Sequence, residues 1–303
     1  MDGFLNVDKT SGPTSHDVVD QIRRLFGQKR VGHAGTLDPM ATGVLVLCLG
    51  KATRVVEHLM GTRKEYLARI TLGRSTDTQD STGAVIDESD ASSVTRDAFE
   101  EAASRFVGRI EQLPPMVSAV KHEGRRLYKI AREGKTVERK PRAVDVYSIQ
   151  VLSFEPGPCP EAEMLIECGS GTYIRTLCAD IGSALGYPAH MSMLKRTKVG
   201  RFRIEDSVTV ARLAEAETQG RLGEFVIGIS DALDDLPAVS IGAEDVPRVL
   251  HGIPVGISRR LDPSRRDVRI LAPNGELIAL GTIVSTDGEP VLRPRKVLAE
   301  ANH

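Results

Sequence analysis

Val31-Gly-His-Ala-Gly-Thr-Leu-Asp-Pro-Met-Ala-Thr-Gly43 runs without a break into Val44-Leu-Val-Leu-Cys-Leu49. The second piece is a continuous apolar run, long enough for a buried strand and too short for a membrane-spanning helix. The first piece holds three glycines and two alanines, so another backbone can approach it closely. One carboxylate, Asp38, and one imidazole, His33, stand in that bare loop. A glycine-rich loop pinned to a buried strand presents a reactive side chain on a rigid base. Asp38-Pro39 also has the form of a helix start, with Asp as N-cap and Pro at the first helical position, and spacing alone leaves both readings open. Gly50-Lys51 suggests a phosphate loop. That pattern needs glycine where Leu45 stands and Ser or Thr where Ala52 stands, so nucleoside-triphosphate binding here is excluded.

The chain of 303 residues, 41% hydrophobic, has the length of two domains and ample apolar content for a core. Its net charge of −1 does not announce a nucleic-acid binder, and any basic surface must be local. The four cysteines, Cys48, Cys159, Cys168 and Cys178, form no Cys-x-x-Cys pair, which favours buried thiols over metal ligands or disulfides. No basic-then-apolar leader opens the sequence, so the expected setting is cytoplasmic and away from membranes.

Outward from the central stretch, residues 4–8 read as a strand and Ser11-Gly12-Pro13 as a turn. Ser15 is expected to cap a helix whose apolar positions are Val18, Val19, Ile22, Leu25 and Phe26. Residues 53–60 read as a short helix. Residues 66–72 alternate as a strand, with Tyr66, Ala68, Ile70 and Leu72 on one face; on this pattern Tyr66 is a core or cross-strand aromatic. Residues 95–106 form an amphipathic helix from a Thr cap. Residues 144–154 and 164–168 read as strands, and a glycine loop from Gly169 opens a helix ending at Gly186. Arg175 falls in the first turn of that helix, where a cation opposes the helix dipole. A carboxylate partner would relieve this, and Asp38 is the candidate.

Between residues 121 and 142 stand nine Lys/Arg against three Glu, a balance of +6 in a chain whose total is −1. Such a one-signed run with Tyr128 among its bases suits phosphate contacts beside a stacking ring. Residues 190–203 carry a second basic cluster. Beyond Glu205 the charge turns acidic up to Asp234-Asp235, where the domain boundary is placed: residues 1–236, then a small β-rich domain, 237–303. The irregular interleaving of strands and helices predicts an α+β fold with a mixed, mainly antiparallel sheet flanked by helices.

Four stretches in this order, Gly-His-Ala-Gly-Thr-Leu-Asp-Pro, Lys64-Glu-Tyr66, Pro114-Pro-Met-Val-Ser-Ala-Val-Lys121 and Gly171-Thr-Tyr-Ile-Arg175, resemble the motifs of the TruB family of bacterial tRNA pseudouridine synthases. The resemblance covers roughly residues 4–205. It implies the pseudouridine synthase fold, an RNA-gripping thumb at about 114–143 and a C-terminal PUA-like RNA-binding domain. The reaction it implies is isomerisation of uridine 55 in the T-loop of tRNA, with the base flipped from its stack. Asp38 would be the catalytic carboxylate, Arg175 its partner, and Tyr66 the ring against the uracil. Tyr173 and Leu194 would line the pocket, and His33 would brace the vacated stack.

Lys121, Arg125, Arg126, Lys129, Arg132, Lys195 and Arg196 are the expected RNA contacts of the two basic clusters. Arg259, Arg260, Arg265, Arg266 and Arg269 are candidates in the C-terminal domain. The reaction imports no group and oxidises nothing, so neither cofactor nor metal is expected. A monomer acting on the tRNA T-arm, with no obligate protein partner, is the default. Two readings compete: the catalytic subunit of a guide-RNA pseudouridylation particle, and an RNA-folding protein whose catalysis is incidental.

Overall fold

The structure, a computed structural model, describes residues 1–118, 120–122, 124–127, 130, 133–135, 137–257, 267–286 and 289–299. Among these, ten strands form one sheet. Its elements along the chain are β1 (Gly3–Lys9), α1 (Ser15–Leu25), β2 (Val31–His33), β3 (Thr42–Leu49), α2 (Val56–Met60), β4 (Lys64–Leu72), α3 (Arg96–Ser104), β5 (Gly108–Gln112), β6 (Arg142–Glu155), β7 (Glu161–Cys168), α4 (Ile174–Leu185), β8 (Ala189–Val199) and β9 (Val208–Thr209). The strand order is β9-β1-β3-β8-β4-β7-β6-β5, with β2 paired to β3 and a tenth, two-residue strand, Phe202–Arg203, paired to β8 off that path. Only β1–β9 and β3–β8 run parallel among these pairs. The sheet is mixed and mainly antiparallel, as the sequence predicted.

The apolar run after the central loop is β3, and it is buried on both faces. Leu45, Leu47 and Leu49 pack with α1 and α4 residues such as Val18, Ile22, Leu177 and Ile181. Val44, Val46 and Cys48 pack on the other side with Phe4, Phe202, Leu280 and Leu298. A strand covered on both faces needs continuous apolar sequence, because its period of two sends alternate side chains into two different cores.

Leu280 lies in, and Leu298 directly follows, a second, five-stranded sheet of β10 (Ala238–Ser240), β11 (Val255–Gly256), β12 (Asp267–Leu271), β13 (Leu277–Thr286) and β14 (Glu289–Val297), in the order β10-β12-β13-β14-β11. It has its own core around Val249, Val268, Ile270 and Leu292.

Two local expectations change. Thr14, not Ser15, caps α1: its hydroxyl accepts from Asp17 N and the Asp17 carboxylate accepts from Thr14 N, a full capping box. The stretch expected as one helix at 53–60 is a 3-10 turn, Gly50–Arg54, followed by α2. No helix of the described residues is long and apolar enough to cross a membrane.

Candidate active site

The loop joining β2 to β3 carries Asp38 and is held by two buried cations from neighbouring strands. Lys9, the last residue of β1 and only 1% exposed, donates from Nζ to the carbonyls of Thr10, Pro39 and Ala41 at 3.0, 3.0 and 2.7 Å. Arg196 of β8 donates from Nε to Val44 O (2.7 Å), from Nη1 to Thr36 O (3.3 Å) and from Nη2 to Gly35 O (3.1 Å). Ser15 clamps a third point, its hydroxyl donating to Leu37 O and accepting from Leu37 N at 2.8 Å. Asp38 O accepts from Ala41 N at 3.1 Å, so Asp38-Pro39 makes a tight turn and starts no helix. Gly43 is indispensable here. Its φ is +96°, and a Cβ would meet the Arg196 carbonyl oxygen at 2.2 Å, across the parallel β3–β8 pair that joins these two residues.

Arg175, 3% exposed, projects from the first turn of α4. Its Nε stands 2.9 Å from Asp38 Oδ2. Nη1 donates to Thr78 O at 2.9 Å and lies 3.5 Å from Asp80 Oδ2, while Nη2 donates to Val117 O at 2.8 Å. One guanidinium thereby ties the Asp38 loop, the turn at Thr78 and the segment at Val117 to the start of a helix. Asp80 is itself buried and accepts from the Thr78 hydroxyl and from both the amide and hydroxyl of Thr82.

Burial pushes the Asp38 carboxyl above the usual carboxylate range, Arg175 opposes that rise, and the nearby Asp80 charge adds to it. Asp38 nevertheless keeps 34% of its side chain exposed, facing a cleft of about 260 Å³. Tyr66, Tyr173 and Leu194 line the same cleft, with Lys64 and the backbone of Gly169–Thr172. Burial also raises the Tyr66 phenol, a rise the nearby Arg196 guanidinium opposes. Desolvation lowers Lys9 and Lys64 to about 8 each; Lys64 Nζ donates to Met60 O and Thr62 O. The arrangement is a partly open carboxylate with a fixed cation behind it, beside a slot with aromatic and apolar walls. That slot suits a flat polar ring.

Six expected site residues thus share one cleft: Asp38, Tyr66, Tyr173, Arg175, Leu194 and Arg196. The α4 cap is also set: Tyr173 N donates to Gln112 Oε1 at 2.9 Å and Gln112 Nε2 donates back to Tyr173 O. His33 lies at the end of β2, outside the cleft lining, and its Nδ1 accepts from Gly35 N at 3.3 Å.

The basic residues divide. Arg196, expected on the RNA surface, is 2% exposed and spends its donors on the loop. The alternation of β8 carried that signal, because Arg196 shares a face with buried Leu194. Arg269 is likewise turned to structure, donating to Leu236 O and Ser230 O. Lys195 is half-buried, and Arg125 is exposed and pairs with Glu133. Lys129, Arg132, Tyr128, Arg259, Arg260, Arg265 and Arg266 lie outside the described residues, as do the side chains of Lys121 and Arg126. Lys9, Ser15 and Asp80 were not foreseen: their partners are remote in sequence. Among the described residues no group of His, Cys, Asp and Glu is arranged to hold a metal ion.

A family model described as "TruB family pseudouridylate synthase (N terminal domain)" matches residues 23–174, and one described as "tRNA pseudouridylate synthase B C-terminal domain" matches 175–234. A protein of Symbiobacterium thermophilum named tRNA pseudouridine synthase B is 47% identical over 84% of this chain and 83% of its own. One of Pelotomaculum thermopropionicum with the same name is 46% identical over 91% and 90%. Among solved structures, an H/ACA RNP bound to a substrate RNA containing 2′-deoxyuridine superposes with a TM-score of 0.75 at 29% identity, over 98% of this chain and 85% of that one. An archaeal box H/ACA Nop10–Cbf5 complex gives 0.73 at 27% identity, over 98% and 86%. On these matches, the chain belongs to the TruB family of pseudouridylate synthases.

Proposed function

We propose that the chain isomerises uridine 55 in the T-loop of tRNA, with Asp38 as the catalytic carboxylate. The observation that carries this reading is the Asp38–Arg175 pair at 2.9 Å, set at the open side of a cleft sized for a base. Breaking the bond from uracil N1 to ribose C1′ and remaking it from C5 needs an ionised, oriented carboxylate at the sugar. Attack at C1′ and removal of the ribose 2′ proton both place that same demand on Asp38. Arg175 meets it with a charge-assisted contact. Tyr66 stacks on the extruded uracil, Leu194 and Tyr173 complete the slot, and His33 braces the stack the base has left.

The basic thumb at about 114–143 and the C-terminal sheet, read as a PUA-like domain, would grip the T-arm through phosphate and shape. The enzyme would act as a cytoplasmic monomer without a guide RNA, in keeping with sequence relatives that bear the name tRNA pseudouridine synthase B. The test is incubation of the pure protein with transcribed tRNA and with an isolated T-arm hairpin, followed by carbodiimide adduct mapping. A single new pseudouridine at position 55 in both is expected. Product only when a second RNA or protein is added would favour the guide-dependent reading.

A further inference from the structure

Ser118 stands where the chain enters the thumb. Its hydroxyl is buried and has no hydrogen-bond partner among the described residues. A hydroxyl shut from water without a partner is costly, so each one in a folded protein calls for a reason. The surroundings supply one. Ser118 lines the same cleft as Asp38, Tyr66 and Leu194. Its neighbour Val117 gives its carbonyl to Arg175 Nη2 at 2.8 Å, on the guanidinium that holds Asp38. A lining residue of the base slot therefore carries an unsatisfied donor and acceptor just beneath the wall, one peptide from the arginine's anchor.

A hydroxyl both donates and accepts. The imide edge of uracil offers the matching pair, an N3–H donor and an O4 acceptor. We propose that Ser118 is a substrate contact whose hydroxyl bonds to the imide edge of the extruded uracil, and that this bond is absent until the base enters. The inference rests on the uridine-isomerising reading. In the free protein the hydroxyl is a cost; in the complex it is a contact.

Those two halves make opposite predictions for Ser118→Ala. Thermal unfolding of the free variant is expected at or above the wild-type temperature, because an unsatisfied buried group has been removed. The single-turnover rate on tRNA is expected to fall about five- to tenfold, the loss of one hydrogen bond. With 4-thiouridine at the target position, whose sulfur is a poorer acceptor, the wild type slows and Ser118→Ala slows no further. A wild-type rate for the variant, or a lowered unfolding temperature accompanying the slower rate, would overturn the proposal. So would additive losses with 4-thiouridine, the result expected if the hydroxyl meets the ribose instead. Wild-type enzyme inert on uridine tRNA would sink the underlying reading rather than this contact.

Discussion

Arg175 Nε and Asp38 Oδ2 meet at 2.9 Å although 136 residues separate them, and the arginine is buried while the aspartate opens on the cleft. A cation in the first turn of α4 works against the helix dipole. Two carboxylates and two carbonyls compensate it, one of them from the Asp38 loop.

Replacing Arg175 by Met removes the main influence that lowers the Asp38 carboxyl, leaving burial and Asp80 to raise it against Lys9 alone. Activity that needs ionised Asp38 is lost as pH falls through its pKa. The acid limb of the kcat/KM profile should therefore move to higher pH in Arg175→Met. At neutral pH the rate should fall about a hundredfold or more. Stability should drop by about 3 kcal/mol, the low end for a broken buried pair because Asp38 keeps partial solvent contact.

Lys9 and Lys64 predict opposite trends for stability and activity in alkali. Both are lowered from 10.5 to about 8 by burial. At these two lysines the unfolded chain therefore holds more protons between about pH 8 and 10.5, and stability rises with pH until, near pH 9, the buried thiols of Cys48, Cys168 and Cys178, which burial raises from 9.0, pull it the other way. Over the same window a neutral Lys9 amine has two donors for three carbonyls, and the Asp38 loop loosens. Urea midpoints should climb from about pH 8 to about pH 9 while kcat declines. Lys9→Met should flatten part of the stability slope.

Two glycines of the central stretch separate backbone collision from conformational strain alone. Gly43→Ala drives a Cβ into the Arg196 backbone at 2.2 Å at a φ of +96° and should cost about 3 kcal/mol or more. Gly35→Ala, at φ +135°, meets only the far end of the Arg196 side chain at 3.6 Å and should cost about 1 kcal/mol. Equal losses in denaturant unfolding would contradict the β3–β8 register described here.

The division of the basic residues predicts two salt responses. Lys195→Ala should reduce the slope of log Kd against log salt for tRNA by about one charge's worth. Arg196→Gln should leave that slope unchanged while lowering stability and rate, since its donors are spent on Gly35, Thr36 and Val44.

What the sequence yielded and what it hid follow from range. The β3 run, the alternation around Tyr66 and the misplaced cation at Arg175 are each visible within a window of a few residues. The glycine bareness of 31–43 is equally local. Lys9, Ser15 and Asp80 act through partners that only the folded chain brings near: Pro39 for Lys9, Leu37 for Ser15, Arg175 for Asp80. Arg196 lies buried rather than on the surface its basic cluster suggests, because a charged residue in such a cluster looks solvated by composition while the β8 alternation sets it beside Leu194. The His33 expectation drew on motif alone, and its position on β2 is one that loop spacing did not suggest.

The most direct measurement is tritium release from transcribed tRNA labelled at uridine C5, comparing wild type with Asp38→Asn. The near-isosteric change keeps the loop, its Lys9 and Arg196 anchors and the cleft, and removes only the charge opposite Arg175. Release by wild type, abolished in Asp38→Asn with tRNA binding retained, is the predicted result. Undiminished release by Asp38→Asn would place the catalytic carboxylate elsewhere and contradict the account.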